Sequence, residues 1–130
     1  MLTYEVYILL AAVVLGLVHL SAASFSFMAQ VGNKYSVGAR DENIQPTGIA
    51  GRLNRAQKNF METFPFFAVL VVLGYVSGIS GSFSIWGSTL YIVGRLLFLP
   101  LYALGTPWLR TFSWNIATLG LVLLLVQLFQ

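Results

Sequence analysis

The chain has 130 residues, 58% of them hydrophobic and 8% charged, with a formal net charge of +3. Soluble domains carry about 25% charged residues, so this is the composition of a membrane protein, and its apolar spans leave no length for a soluble domain. The absence of cysteine excludes disulfides, thiolate metal sites and a cysteine nucleophile, and His19, the one histidine, cannot build a histidine metal site alone.

The first predicted span covers residues 3–29. His19 is the only residue between Glu5 and Gln30 that can carry charge near neutral pH. About 20 apolar residues suffice to cross a bilayer. The N-terminus has no basic n-region and the apolar run is too long for a signal h-region, so a retained spanning helix is expected. Gly16, Ser21, Ala22, Ala23, Ser24 and Ser26 are small, which suits close helix packing in lipid. His19 has two readings: a histidine hydrogen-bonded within the bundle, or a participant in proton movement. Gln30 to Gly51 is a polar loop rich in glycine, with Lys34, Arg40, Asp41 and Glu42. Thr47 is the expected N-cap of the helix that follows.

The second span, residues 48–77, begins with the densest polar stretch of the chain. Arg52, Arg55, Asn59 and Glu62 fall on one helical face, a column of both charge signs and an amide at the start of an apolar helix. Polar columns at a membrane boundary are costly, which makes this one a functional candidate. Pro65 removes one backbone hydrogen bond and predicts a kink. The third span, residues 83–104, carries Tyr91, Arg95, Phe98 and Tyr102 on one face. The tight turn at Gly105-Thr106-Pro107 makes the third and fourth spans antiparallel neighbours. The fourth, residues 107–129, has Arg110 in its first turn.

The basic residues give the topology. Lys34, Arg40, Arg52, Arg55 and Lys58 surround the first loop and Arg110 adjoins the last turn, whereas the N-terminal end and the 78–84 turn have no Lys or Arg. The positive-inside rule then predicts a cytoplasmic basic end and both termini on the other side. The positive charge reads as a topology signal, with no nucleic-acid partner expected. Both polar columns and Arg110 are expected to meet at one membrane face.

A cluster of Arg55, Gln57, Asn59, Glu62, Arg95, Tyr102 and Arg110 could hold a small ligand bearing carboxylates and an amine. Arginine pairs carboxylates, glutamate pairs an ammonium, and amides read peptide groups. The adjoining apolar walls could take a lipophilic second molecule. The competing reading is that the arginines and Glu62 pair with each other as helix-end anchors.

The pattern R-x-x-R-A-Q-x-N-x-x-E-x-x-P over Arg52 to Pro65 resembles the signature of the MAPEG superfamily, membrane-associated proteins in eicosanoid and glutathione metabolism. Arg95, Phe98, Tyr102 and Arg110 are similar to its second block, and nearly the whole chain takes part in the resemblance. The resemblance implies an all-α left-handed bundle of four transmembrane helices, assembled as a homotrimer. It implies glutathione as co-substrate, bound between subunits near the cytoplasmic face, and no metal. Arg55, Gln57, Asn59, Glu62, Arg95, Tyr102 and Thr111 would bind the tripeptide, and Arg110 would stabilise its thiolate for attack on a lipophilic substrate. The branch it looks most like is prokaryotic, which places it in a bacterial inner membrane. Several positions depart from glutathione-using or eicosanoid-forming members: Gln30 stands for an arginine, Thr63 for a tyrosine, Phe98 for a histidine or tyrosine, and Thr111 and Trp114 for a serine and a tyrosine. Two other functions are open: a non-catalytic lipid-binding or scaffold protein of the same fold, and a small four-helix transporter of lipophilic cations.

Overall fold

Backbone polar groups inside a bilayer must be satisfied within their own segment, so apolar runs of this length fold as helices. The structure, a computed structural model describing residues 1–130, contains α1 (Tyr4–Val31), α2 (Asn33–Val37), α3 (Gly48–Ser77), α4 (Ser82–Leu104) and α5 (Pro107–Gln127). All but α2 are long and apolar enough to cross a membrane, and the chain is an integral, multi-pass membrane protein. Side chains such as Val14, Phe66, Val76 and Trp86 are more than half exposed on the outer surface of the helices, where lipid replaces water. The helices α3 and α4 continue unbroken through Pro65 and Pro100.

The short α2 interrupts the expected loop. Its turn is closed by Ser36 Oγ donating to the Gly32 carbonyl at 2.9 Å, and the Ile44 N–H donates to the Tyr35 hydroxyl at 2.7 Å. The Tyr35 ring meets Phe27 of α1 edge-on, 6.2 Å between centroids. The loop is thereby folded back against α1.

The closest helix pairs are α4 with α5 and α1 with α3. Contacts of α3 with α4 and of α1 with α4 join the two pairs, and α5 does not reach α1. The arrangement is a cluster of α1, α3 and α4 with α5 laid along α4. At the cluster centre the rings of Phe67 and Tyr91 stack at 4.1 Å, and the Tyr91 hydroxyl lies 3.1 Å from Thr63 Oγ1. A phenol inside an apolar bundle needs such a partner.

Between helices in lipid the hydrophobic drive is weak, so close backbone approach carries the association. The α4–α5 contact shows this at Gly94. A methyl there would stand 2.6 Å from the Ser113 carbonyl oxygen and 2.8 Å from the Ala117 nitrogen. Ser113 and Ala117 are buried on the facing side of α5.

A bulky residue at Gly94 must separate the two helices. Overpacking costs about 1–3 kcal/mol in well-packed interiors. The prediction is that Gly94→Leu lowers the melting temperature in detergent, while Leu96→Ala, on the exposed side of α4, changes it little. Equal melting of Gly94→Leu and wild type would disprove the close contact.

Candidate functional site

The helix ends at the basic side of the bundle leave carbonyls without intrahelical partners. Arg52 of α3 answers one of them, its Nη1 donating to the Ala103 carbonyl in the last turn of α4 at 3.2 Å. One turn on, Arg55 Nε donates to the Tyr102 hydroxyl at 3.3 Å. One further turn on, Asn59 Oδ1 accepts from Arg95 Nη1 at 2.9 Å. The column on α3 and the column on α4 therefore face each other over three turns. All three arginines donate to neutral oxygens, so the expectation that arginine and glutamate merely pair as anchors does not describe them.

Arg95 is the most enclosed of these groups, with 0% of its surface exposed. Its Cζ lies 4.4 Å from the Phe98 ring centroid and 5.4 Å from that of Phe60. The negative faces of the rings take over part of the solvation that water would supply, and guanidinium is the cation best suited to such stacking. Its Nε and Nη2 have no hydrogen-bond partner within the chain. Phe60 also stacks on His19, at 4.8 Å. His19 is equally buried, and neither ring nitrogen is hydrogen-bonded. Of the two sequence readings of His19, the one hydrogen-bonded within the bundle is not met: the residue is held through its ring face.

A fourth arginine, Arg110, stands in the first turn of α5, its Cζ 4.5 Å from the Tyr102 ring centroid. Asn59, Phe98, Tyr102, Arg110, Thr111 and Trp114 line a cavity of about 400 Å³. That lies within the roughly 300–1,000 Å³ range of small-molecule sites. The Tyr102 hydroxyl, accepting from Arg55, keeps its own proton to donate. Asn59, accepting through Oδ1, keeps its amide N–H groups. Thr111 Oγ1 donates to the Pro107 carbonyl at 2.9 Å and keeps lone pairs for a donor. The cavity thus offers a cation, N–H and O–H donors, and aromatic walls.

The remaining candidates lie apart from this cavity within one chain. Glu62 continues the α3 column but is exposed at the helix surface. Gln57 faces α1. It lines an apolar groove of about 250 Å³ with Ala12, Gly16, Leu17 and Phe60, and a larger cavity of about 590 Å³ beneath the 32–47 loop. Two residues of helix turn through roughly 200°, so Gln57 and Asn59 point in nearly opposite directions. Trp114, noted in the sequence only as a departure, is a wall of the cavity. Its position one turn after Arg110 was the available signal.

Gln30 has a definite task. Its Nε2 donates to the Gln45 carbonyl at 3.0 Å, and its Oε1 accepts the Thr47 N–H at 2.8 Å. Thr47 sits at the N-cap of α3 but its side chain makes no capping bond, contrary to expectation. Gln30 instead ties the entry of α3 to the end of α1. The task needs a donor and an acceptor on one side chain, and arginine has no acceptor.

The MAPEG family model matches residues 6–130, almost the whole chain. The chain belongs to the MAPEG family. A search of curated proteins returns no match. Within this MAPEG chain, the paired columns and Arg110 occupy one end of the bundle, while Gln30 works as a strap for the loop at that same end.

Release of that strap gives a prediction. An intramolecular hydrogen bond contributes about 1 kcal/mol net, and less when exposed as here. Gln30→Ala is expected to leave the global melting temperature nearly unchanged and to speed trypsin cleavage after Lys34 and Arg40. Cleavage at the wild-type rate would show that Gln30 does not hold the loop.

Proposed function

We propose that this MAPEG protein is a glutathione-dependent transferase or peroxidase acting on lipophilic electrophiles within the membrane. The observation that carries the reading is the placement of Arg110 beside Tyr102 at a cavity also lined by Asn59 and Thr111. A free thiol has a pKa of about 8.5 and is mostly protonated at neutral pH. Lowering it by about two units requires about 2.7 kcal/mol of preferential thiolate stabilisation. A guanidinium in the first turn of a helix, aided by the positive end of the helix dipole, is suited to supply it.

Arg55, Gln57, Asn59, Glu62, Arg95, Tyr102 and Thr111 form the tripeptide site in this reading. Gln57 and Arg110 stand on different sides of one chain, so both serve one glutathione only when two copies contribute. That geometry favours a site between subunits and accords with a homotrimer of left-handed bundles. The basic end is cytoplasmic and the termini are periplasmic in a bacterial inner membrane.

In the transferase reaction the thiol proton leaves to solvent at the basic end and Arg110 holds the sulfur as thiolate. The sulfur then forms a bond to the electrophilic carbon as the leaving group departs with its electron pair. With a hydroperoxide, the thiolate attacks the terminal oxygen and the O–O bond breaks. The alkoxide takes a proton from solvent and leaves as the alcohol, and a second glutathione displaces water from the sulfenic acid to give the disulfide. Phe98 and Trp114 give the electrophile an apolar wall.

Arg110→Ala is expected to lower kcat/KM for glutathione with a generic aryl halide by about 25-fold at about pH 7, the loss of thiolate when the thiol pKa returns from about 6.5 to about 8.5. The pH–rate profile moves in a definite direction. Without the guanidinium the thiol titrates higher, so the rate climbs to its plateau about two pH units later. Conjugation by the wild type with an unshifted profile in the variant would remove Arg110 from the chemistry.

A separate measurement distinguishes a non-catalytic lipid-binding or scaffold role. Glutathione at 100 times its Kd should stabilise the protein by about 2.7 kcal/mol, visible as a higher melting temperature. No shift with glutathione, together with no conjugation, would favour the non-catalytic role.

A further inference from the structure

The end of the bundle away from the basic residues holds a second polar cluster. Glu5, in the first turn of α1, is buried, with a relative exposure of 5%. Its Oε1 accepts from Ser80 Oγ at 2.7 Å and from Ser84 Oγ. Ser84 Oγ also accepts the Gly81 N–H at 3.0 Å, and the Ser84 N–H donates to Gln127 Oε1 at 3.4 Å. One carboxylate thus joins the start of α1 to the start of α4, and Gln127 adds the end of α5. Glu5 Oε2, by contrast, is buried with no hydrogen-bond partner.

Beside it lies a cavity of about 90 Å³, whose lining includes Glu5, Gly74, Tyr75, Ser80, Ser84 and Gln127. A water takes up about 30 Å³, so there is room for a small ion with one or two waters. The surroundings are rich in oxygen. At the end of α3 the Tyr75 carbonyl accepts one capping N–H and keeps a second lone pair, while the Gly74 carbonyl accepts the N–H groups of both Gly78 and Ile79. They also form the negative end of the α3 dipole. No basic side chain is near to balance the carboxylate. Of the seven Lys and Arg residues, Arg95 lies inside the bundle and the other six lie at the basic end. The N-termini of α1 and α4 offset part of the charge, but their hydroxyl partners engage only Oε1.

A buried, unpartnered carboxylate oxygen beside an oxygen-lined cavity calls for a compensating cation or proton. We propose that this cavity binds a small alkali cation, of sodium or potassium size, ligated by Glu5 Oε2 with oxygens of Gln127, Ser80 and the α3 terminus. A single carboxylate matches a single positive charge. Divalent ions take more anionic or more numerous oxygen ligands than one carboxylate among neutral groups. The bound ion holds the ends of α1, α3, α4 and α5 together at the side of the membrane opposite the Arg110 cavity. It stands independently of the glutathione reading.

The test is thermal unfolding of the purified full chain in NaCl, KCl or choline chloride at equal ionic strength and pH. Wild type is expected to melt several degrees higher in at least one alkali salt than in choline chloride, with a saturable dependence on concentration. Glu5→Gln, which keeps the shape and removes the charge, is expected to lose that difference. Identical melting of the wild type in all three salts overturns the proposal, as does an undiminished salt response in Glu5→Gln. A stability that follows pH but not cation identity assigns the compensating charge to a proton and overturns it equally. If Glu5→Gln fails to fold, binding of radiolabelled sodium and rubidium to the wild type decides, with choline as non-competing control. Absence of saturable binding of either ion rejects the site.

Discussion

A guanidinium with no exposed surface, inside a bundle meant for lipid, is the constraint on which the rest of the structure turns. Arg95 lies nine residues before the end of α4, roughly 14 Å along the helix. It cannot reach the polar end by extending its side chain alone, so its environment has to come to it. Asn59 supplies an acceptor from α3, and Phe60 and Phe98 supply ring faces from α3 and α4. Those partners fix the rotation of α3 against α4. With that rotation set, Arg55 meets Tyr102, Arg52 meets the last carbonyls of α4, and Tyr102 is presented to Arg110. Asn59 and Tyr102 are members of this network and walls of the cavity at once.

The two principal helix contacts solve different problems. Between α4 and α5 the demand is proximity, and glycine, serine and alanine meet it by letting backbones touch. That contact is what sets the distance of Arg110 from Tyr102, because α5 has little else to lean on. Between α1 and α3 the contact is looser and aromatic, with His19 stacked on Phe60. The looseness leaves the apolar groove that Gln57 lines, and the loop strapped by Gln30 encloses more space beyond it. One pair of helices is built for precision and the other leaves volume.

Helical periodicity alone makes the polar columns legible in the sequence. Arg52, Arg55, Asn59 and Glu62 share a face by arithmetic, as do Tyr91, Arg95, Phe98 and Tyr102. The partner of each residue is not legible there, because facing columns can slide by a turn and only the enclosure of Arg95 fixes the register. The same arithmetic separates Gln57 from Asn59, although the resemblance groups them in one site. The links from Gln30 to Thr47 and from Glu5 to Ser84 escape a reading of the sequence, since they join positions 17 and 79 residues apart with no periodicity between them. Thr47 shows the opposite case. A residue of the right type at the right place makes no side-chain cap, and the entry to α3 is tied down instead through its backbone N–H, which Gln30 accepts.

The position of the cavity follows from the incompleteness of the bundle. Because α5 lies along α4 and does not reach α1, the four helices do not close on one another, and Arg110, Thr111 and Trp114 stand at the rim of what one chain can enclose. Donors that point to the rim are not consumed by the fold: the Tyr102 proton, the Asn59 amide and the Arg110 guanidinium all remain free within the chain. Gln57 and the apolar groove wait on the other side of α3. A second copy that brought its Gln57 side to the first copy's α4–α5 rim would join donors with an apolar wall, whereas one chain alone keeps them apart. If Gln57 and Asn59 serve one ligand, as proposed, the two positions are the physical reason to look for that site between subunits, since no rotation of a single α3 can turn both toward it.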